Sequence, residues 1–430
     1  MKSKTQRVLN QLRDFESPNV TFIDPEGGWP IVWERASGMH VWDVEGKRYL
    51  DLTAAFGVAA AGHANQRVVA AGQKQMAKLL HAMGDVHPHA LKAQLARELS
   101  RITFERWGSI TAKTIFTNSG FEAVEAALKT AMLATGKPGV IAFESGYHGL
   151  GYGALSATHR AHFRSPFKSQ LKNFGHFSPF PKTKTDLAEV ELQLRKLFRS
   201  KRIGAVLVEP IQVRGGVNIP PAGFLKLLRK LCTRFGALLV FDEIYTGFGR
   251  TGKWFACEHD KVVPDLICLG KALTGGFPLS ACVGRADVMD YAWPISSGEA
   301  IHTSTFLGHP VGCAMALAQI QEIQKRKLVD ASATSGGIAV NLLRALAKSK
   351  TLNVDVRGRG LLIGVELNRG DGVPATNESL LIIKRILARG FVLLPEGEPA
   401  NVISLTPPLI INPTQLRATV QALAEEMEDF

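Results

Sequence analysis

The chain has 430 residues, which at ~150 residues per domain implies about two or three structural units. Its 46% hydrophobic and 21% charged residues match soluble globular proteins and exclude a disordered chain, and no apolar run approaches the ~18 residues of a membrane-spanning helix. The net charge of +13 is scattered, with modest clusters at 159–172 and 196–202. It is not interleaved with the aromatic pattern of an RNA-reading sheet, so it reads as a solvated surface that attracts anionic ligands, with no nucleic-acid and no membrane partner expected.

In chain order, residues 1–65 read as an arm, with a hairpin over 40–42 and 48–51 turned at Glu45-Gly46. Met1 to Arg7 is basic, but no apolar stretch of the secretory kind follows. Residues 66–310 alternate between two periodicities. Helical spacing of apolar residues covers 121–133, 186–198 and 223–235, and short apolar runs at 115–116, 140–143, 205–209, 237–241 and 266–269 read as buried strands. Continuous apolar strands separated by helices of about 10–15 residues mean βαβ units and an α/β fold with a mostly parallel sheet covered by helices. From 311 onward, helices at 311–324, 379–388 and 414–427 and strands at 353–357 and 361–367 lack strict alternation, which predicts a smaller α+β C-terminal domain. The five cysteines form no C-x-x-C pair, so neither a disulfide framework nor a zinc site is expected, and the protein is expected to be cytoplasmic.

Parallel sheets of this kind bind ligands at the carboxyl ends of their strands. After 115–116 comes Asn118-Ser119-Gly120-Phe121, which opens directly into a helix and offers free N–H groups to a phosphate. An ordinary N-cap serine explains the same residues. After 140–143 comes Tyr147, flanked by glycines and able to stack on a flat ring or simply to pack its own loop. Asp242 stands at the exit of an apolar strand, where an acid must be solvated, paired or functional. Lys271 lies among apolar and glycine residues after 266–269; desolvation there frees its amine to attack carbonyls, whereas a lysine snorkelling from a strand end is the plainer alternative. Together, a nucleophilic lysine, an acid, a phosphate-suited turn and an aromatic platform describe a site for pyridoxal phosphate (PLP), which needs a lysine to condense with its aldehyde, an acid on its ring nitrogen and a phosphate anchor.

At these residues the sequence resembles the class III PLP-dependent aminotransferases of fold type I. The matching stretches run in order over nearly the whole chain: 42–51, 118–127, Tyr147-His148-Gly149, Glu209-Pro210-Ile211-Gln212, 242–252, 270–276, 302–310 and 357–364. The resemblance implies that Lys271 carries the cofactor and moves the substrate proton, and that Asp242 keeps the pyridine nitrogen protonated. It also implies that Tyr147 and Ile244 sandwich the ring, that Ser119, Gly120 and Phe121 hold the phosphate, and that Thr305 reaches the phosphate of a neighbouring subunit, making the protein a homodimer with shared active sites. The implied reaction is ping-pong transfer of an amino group from an amine or amino acid to a 2-oxo acid. A racemase, aminomutase or ammonia-lyase of the same fold is the alternative, and a catalytically inactive basic binding protein is the alternative of another class. No metal is implied.

The chain departs from the family pattern at several positions. Tyr245 stands where many relatives place a glutamine near the cofactor's phenolic oxygen, and its hydroxyl is expected to donate the same hydrogen bond. Arg214 stands where many relatives place an acid, and Ser404 where amino-acid-specific members place an arginine three positions before Pro407-Pro408. The usual carboxylate clamp is therefore missing, with Arg214 the candidate replacement. Phe56 falls where relatives place a pocket aromatic. Asn65-Gln66 replaces a usual His-Pro without evident chemical consequence.

Overall fold

The computed structural model describes residues 3–25, 27–108 and 110–430. Its centre is a seven-stranded sheet in the order Ala112–Thr117, Ser280–Arg285, Leu266–Leu269, Leu238–Asp242, Ile203–Val208, Gly139–Phe143, Gly175–Ser178. The strands from Gly175–Ser178 to Leu266–Leu269 pair in parallel, and Ser280–Arg285 is antiparallel to both of its neighbours. Strand pleating sends alternate side chains to opposite faces, and both faces are apolar. Val140, Ala142, Ala205, Leu207, Val240 and Cys268 join one core with the helix Gly120–Thr135. Ile141, Phe143, Val206, Val208, Leu239 and Phe241 join the other with the helices Asp186–Ser200 and Phe224–Phe235. This two-sided burial is why the strands read as unbroken apolar runs.

The expected strands and helices are present within a few residues at each end. The structure adds a strand at Ser280–Arg285 and a 19-residue helix at Leu328–Leu346. Neither carries a strong periodic signal. The strand is rich in small residues, and the helix contains Gly336-Gly337.

A second, antiparallel sheet orders Leu352–Arg359, Leu362–Arg369, Val402–Leu405 and Leu394–Glu396. The helices Leu328–Leu346 and Thr376–Ala388 pack on it, and Pro413–Glu428 packs against those two helices. The N-terminal hairpin, His40–Asp43 with Arg48–Asp51, carries Trp33–Ser37 on one side and accepts Phe391–Val392 in parallel on the other. The N-terminal segment thus shares a sheet with the C-terminal part of the chain. Arg250, only 1% exposed, donates to the carbonyls of Leu361 (3.1 Å) and Pro407 (2.5 Å) and ties the segment after Leu238–Asp242 to that part. Among the described residues no helix is long and apolar enough to cross a membrane.

Candidate active site

The carboxyl ends of the Gly139–Phe143, Ile203–Val208, Leu238–Asp242 and Leu266–Leu269 strands meet at a cavity of about 460 Å³. Lys271 sits two residues beyond the last of these, in a left-handed backbone conformation (φ +41°) unusual for a side-chain-bearing residue. Gly270 makes that turn possible, because a Cβ there would lie 2.7 Å from Ser280 Oγ. Burial holds the Lys271 ammonium below its ordinary pKa, against the attraction of Asp242 and Glu209. The amine is therefore more available as a nucleophile and as a proton acceptor than a surface lysine would be.

Asp242 ends its strand with both carboxylate oxygens engaged. Oδ1 accepts from the Ile244 N–H at 3.1 Å, and Oδ2 lies 2.8 Å from His148 Nδ1. His148 and Asp242 are both buried, so the imidazole fixes the direction in which the acid faces the cavity. Glu209 accepts from the N–H groups of Tyr147 (2.9 Å) and Val213 (3.2 Å), locking the loop that carries the aromatic platform. Burial pushes the Glu209 carboxyl up to about 7. His148 and Glu209 both lie inside motifs visible in the sequence, yet their spacing along the chain, 94 and 62 positions from their partners, conceals their contacts. The next acid, Glu243, belongs to the scaffold: it accepts from Thr246 Oγ1, Ala256 N and Cys257 N at 2.6–2.8 Å.

At the Gly120–Thr135 helix start, Glu122 accepts from the N–H groups of Asn118 (2.7 Å) and Ser119 (2.9 Å). The chain is thereby turned so that Gly120 and Phe121 line the cavity. Ser119 Oγ is buried and makes no hydrogen bond of ordinary geometry. A Cβ at Gly120 would press on Ile244 Cδ1 at 3.0 Å, so glycine keeps this wall open. A buried, unpartnered hydroxyl at a helix N-terminus, with a desolvated lysine and a buried acid across the same cavity, fits an anion-bearing aldehyde with a basic ring nitrogen.

Tyr147, Ile244, Tyr245 and Arg214 line the same cavity as Lys271 and Asp242. The Tyr245 hydroxyl is directed at Thr406 Oγ1 (3.3 Å), while its ring face lies 4.3 Å from Lys271 Nζ. This side chain is set by Gly57, where a Cβ would fall 2.8 Å from the tyrosine ring. Thr305 is exposed and away from this cavity. Phe56, 54% exposed, lines a neighbouring apolar hollow with Trp29, Trp33 and Leu393. Ser404 donates to the Leu394 carbonyl inside the C-terminal sheet.

Comparison with known proteins places this geometry. The aminotransferase class-III family model matches residues 23–427. An acetylornithine aminotransferase of Methanosarcina mazei is 37% identical over 93% of this chain and 92% of its own, and a 5-aminovalerate aminotransferase of Pseudomonas aeruginosa is 35% identical over 93% and 94%. A Bacillus anthracis aminotransferase superposes with a TM-score of 0.91 at 27% identity over all of both chains. An omega transaminase of Pseudomonas jessenii, solved in complex with PMP, gives 0.90 at 26% identity over 100% and 98%. The fold is that of the fold type I transaminases. The chain belongs to the class III aminotransferases, a PLP-dependent family, and its chemistry is amino-group transfer.

Proposed function

We propose that the cavity binds PLP and runs a ping-pong transamination, with Lys271 bonding to the cofactor aldehyde and Asp242 held against its ring nitrogen. Ser119 Oγ and the N–H groups of Gly120 and Phe121 hold the phosphate, and Tyr147 and Ile244 flank the ring. The observation that carries this reading is the convergence of Lys271, Asp242 and the Gly120-Phe121 turn on one cavity from three separate strand ends. When bound, the cofactor withdraws electrons from the donor carbon that bears the amine, which makes that carbon's proton removable. Released when the donor amine takes its place, Lys271 Nζ would carry this proton from the donor carbon to the carbon that bore the aldehyde and would reverse the transfer in the second half-reaction; burial lowers its pKa, so the freed amine is unprotonated often enough to accept it. Asp242, aimed by His148, keeps the positive charge on the ring nitrogen. An amine leaves its nitrogen in the first half-reaction, and a 2-oxo acid carries it away in the second.

Arg214 is the substrate-carboxylate residue in this reading. Its guanidinium lies 4.8 Å from the Tyr147 ring centroid, at the cavity wall, whereas the position of Ser404 offers only a hydroxyl turned into the sheet. The relatives named for acetylornithine and 5-aminovalerate support a donor whose amine sits on an aliphatic chain that also bears a carboxylate. Phe56, in its separate hollow, is a second substrate-side candidate. Thr305 serves the site of a second copy of the chain, and the five buried free cysteines suit the reducing cytoplasm. In the Lys271→Ala variant, transamination followed by 2-oxo acid consumption should fall by several orders of magnitude. Wild-type turnover in that variant would remove the assignment.

A further inference from the structure

Glu396 is a buried acid near Lys271 and Arg214 that takes no part in the proposed transamination. It ends the Leu394–Glu396 strand, is 5% exposed, and among the described residues its carboxylate accepts no hydrogen bond. Among the described residues its one ion-pair partner is Arg214, with Nε 3.9 Å from Oε2. That separation is too long for a hydrogen bond. Buried carboxylates ordinarily collect several donors, because leaving one under-solvated is costly. The loose pair is therefore easily exchanged: the guanidinium is held near Glu396 without being locked there. Arg214 is about one-third exposed and rests against Tyr147, so it borders both the acid behind it and the cavity in front.

We propose that Glu396 is a positioning residue for Arg214: it holds the guanidinium back while the site is empty, yields it to an incoming substrate carboxylate, and takes up one proton from solvent as it does so. The proposal rests on the reading of Arg214 as the carboxylate-binding group. Its physical basis is that Glu396 cannot stay ionised once its partner turns away, since a buried charge without a counter-ion neutralises itself. The other charged and titratable groups facing Glu396 are Lys271, Arg160 and Tyr245. None of these replaces Arg214, for none makes an ion pair with Glu396 within 4 Å among the described residues.

Burial already pushes the Glu396 carboxyl up to about 7, against the opposing pull of Arg214, Lys271 and Arg160. Removing the Arg214 charge raises it further. Below pH about 7 Glu396 is already protonated and carboxylate binding draws no proton. Above that value binding must draw one, so affinity for a carboxylate falls with rising pH, by at most about tenfold per unit.

The test is calorimetric titration of the cofactor-loaded enzyme with glutarate, which has two carboxylates and no carbonyl to react, in buffers of different ionisation heat. Proton uptake should be near zero at about pH 6 and approach one at about pH 8.5, with affinity falling across that interval. In Glu396→Gln the uptake should vanish, and affinity at the higher pH should exceed that of the wild type. Zero uptake by the wild type at the higher pH, which needs no variant to observe, overturns the proposal. A Glu396→Gln enzyme that keeps the wild-type pH slope overturns it as well. Arg214→Gln separates the two readings: undiminished glutarate binding there removes the carboxylate role of Arg214 itself.

Discussion

Asp242 faces the cavity from a strand end, and its two oxygens are already spoken for by a backbone N–H and by His148. A residue so constrained contributes mainly by its charge. At an effective dielectric near 20, a charge pair at ~4 Å is worth about 4 kcal/mol, and each ~1.4 kcal/mol lost at the transition state is tenfold in rate. Asp242→Asn should therefore retain the cofactor, seen by absorbance, while single-turnover rates fall about a thousandfold. An unchanged rate would contradict the electrostatic role. At this scale the sequence pointed to Lys271, Asp242 and Tyr147, which line one cavity, because lysine, acid and aromatic each follow an apolar strand, where their chemistry is conspicuous. It gave no role to His148, Glu209 or Glu396, because what distinguishes them is a contact across the fold or the loss of solvent. The expected donation from Tyr245 to a phenolic oxygen meets a hydroxyl already directed at Thr406.

Among the elements, the helix Leu328–Leu346 shows how close backbone contact decides which glycines matter. A Cβ on Gly336 would lie 1.9 Å from the Gly360 carbonyl oxygen, an obstacle of backbone that cannot swing aside, whereas a Cβ on the adjacent exposed Gly337 would meet nothing within 4 Å. Gly336→Ala should destabilise the protein by about 1–3 kcal/mol or more. Gly337→Ala should stabilise it by up to about 1 kcal/mol, since alanine is the better helix former. Thermal unfolding of the pair checks both signs, and equal melting temperatures would contradict the packing argument. The same two glycines hid this helix from a reading by periodicity. The strand Ser280–Arg285 was concealed by its Ser, Ala, Cys and Gly content, which carries little β signal until two antiparallel neighbours enclose it. The βαβ core, by contrast, was legible because two-sided burial demands unbroken apolar strands.

Over the whole molecule, Leu80, Met83, Val86, Ile295, Ile301 and Phe306 are 53–100% exposed, and their two segments touch through His81 on Phe306 and a hydrogen bond from Thr303 to Asp85. Clustered exposed apolar side chains are what an interface requires, and exposed Thr305 lies in the same stretch, so this patch is where the proposed dimer should form. Sedimentation should give twice the chain mass, and Ile301→Asp should weaken both the dimer and cofactor retention. A monomer that keeps its cofactor at all dilutions would contradict the shared site.

The most direct test of the account is borohydride reduction of the cofactor-loaded protein, followed by peptide mapping. The pyridoxyl mass should appear on the peptide containing Lys271. Its attachment to any other lysine, or its absence, would contradict the central claim.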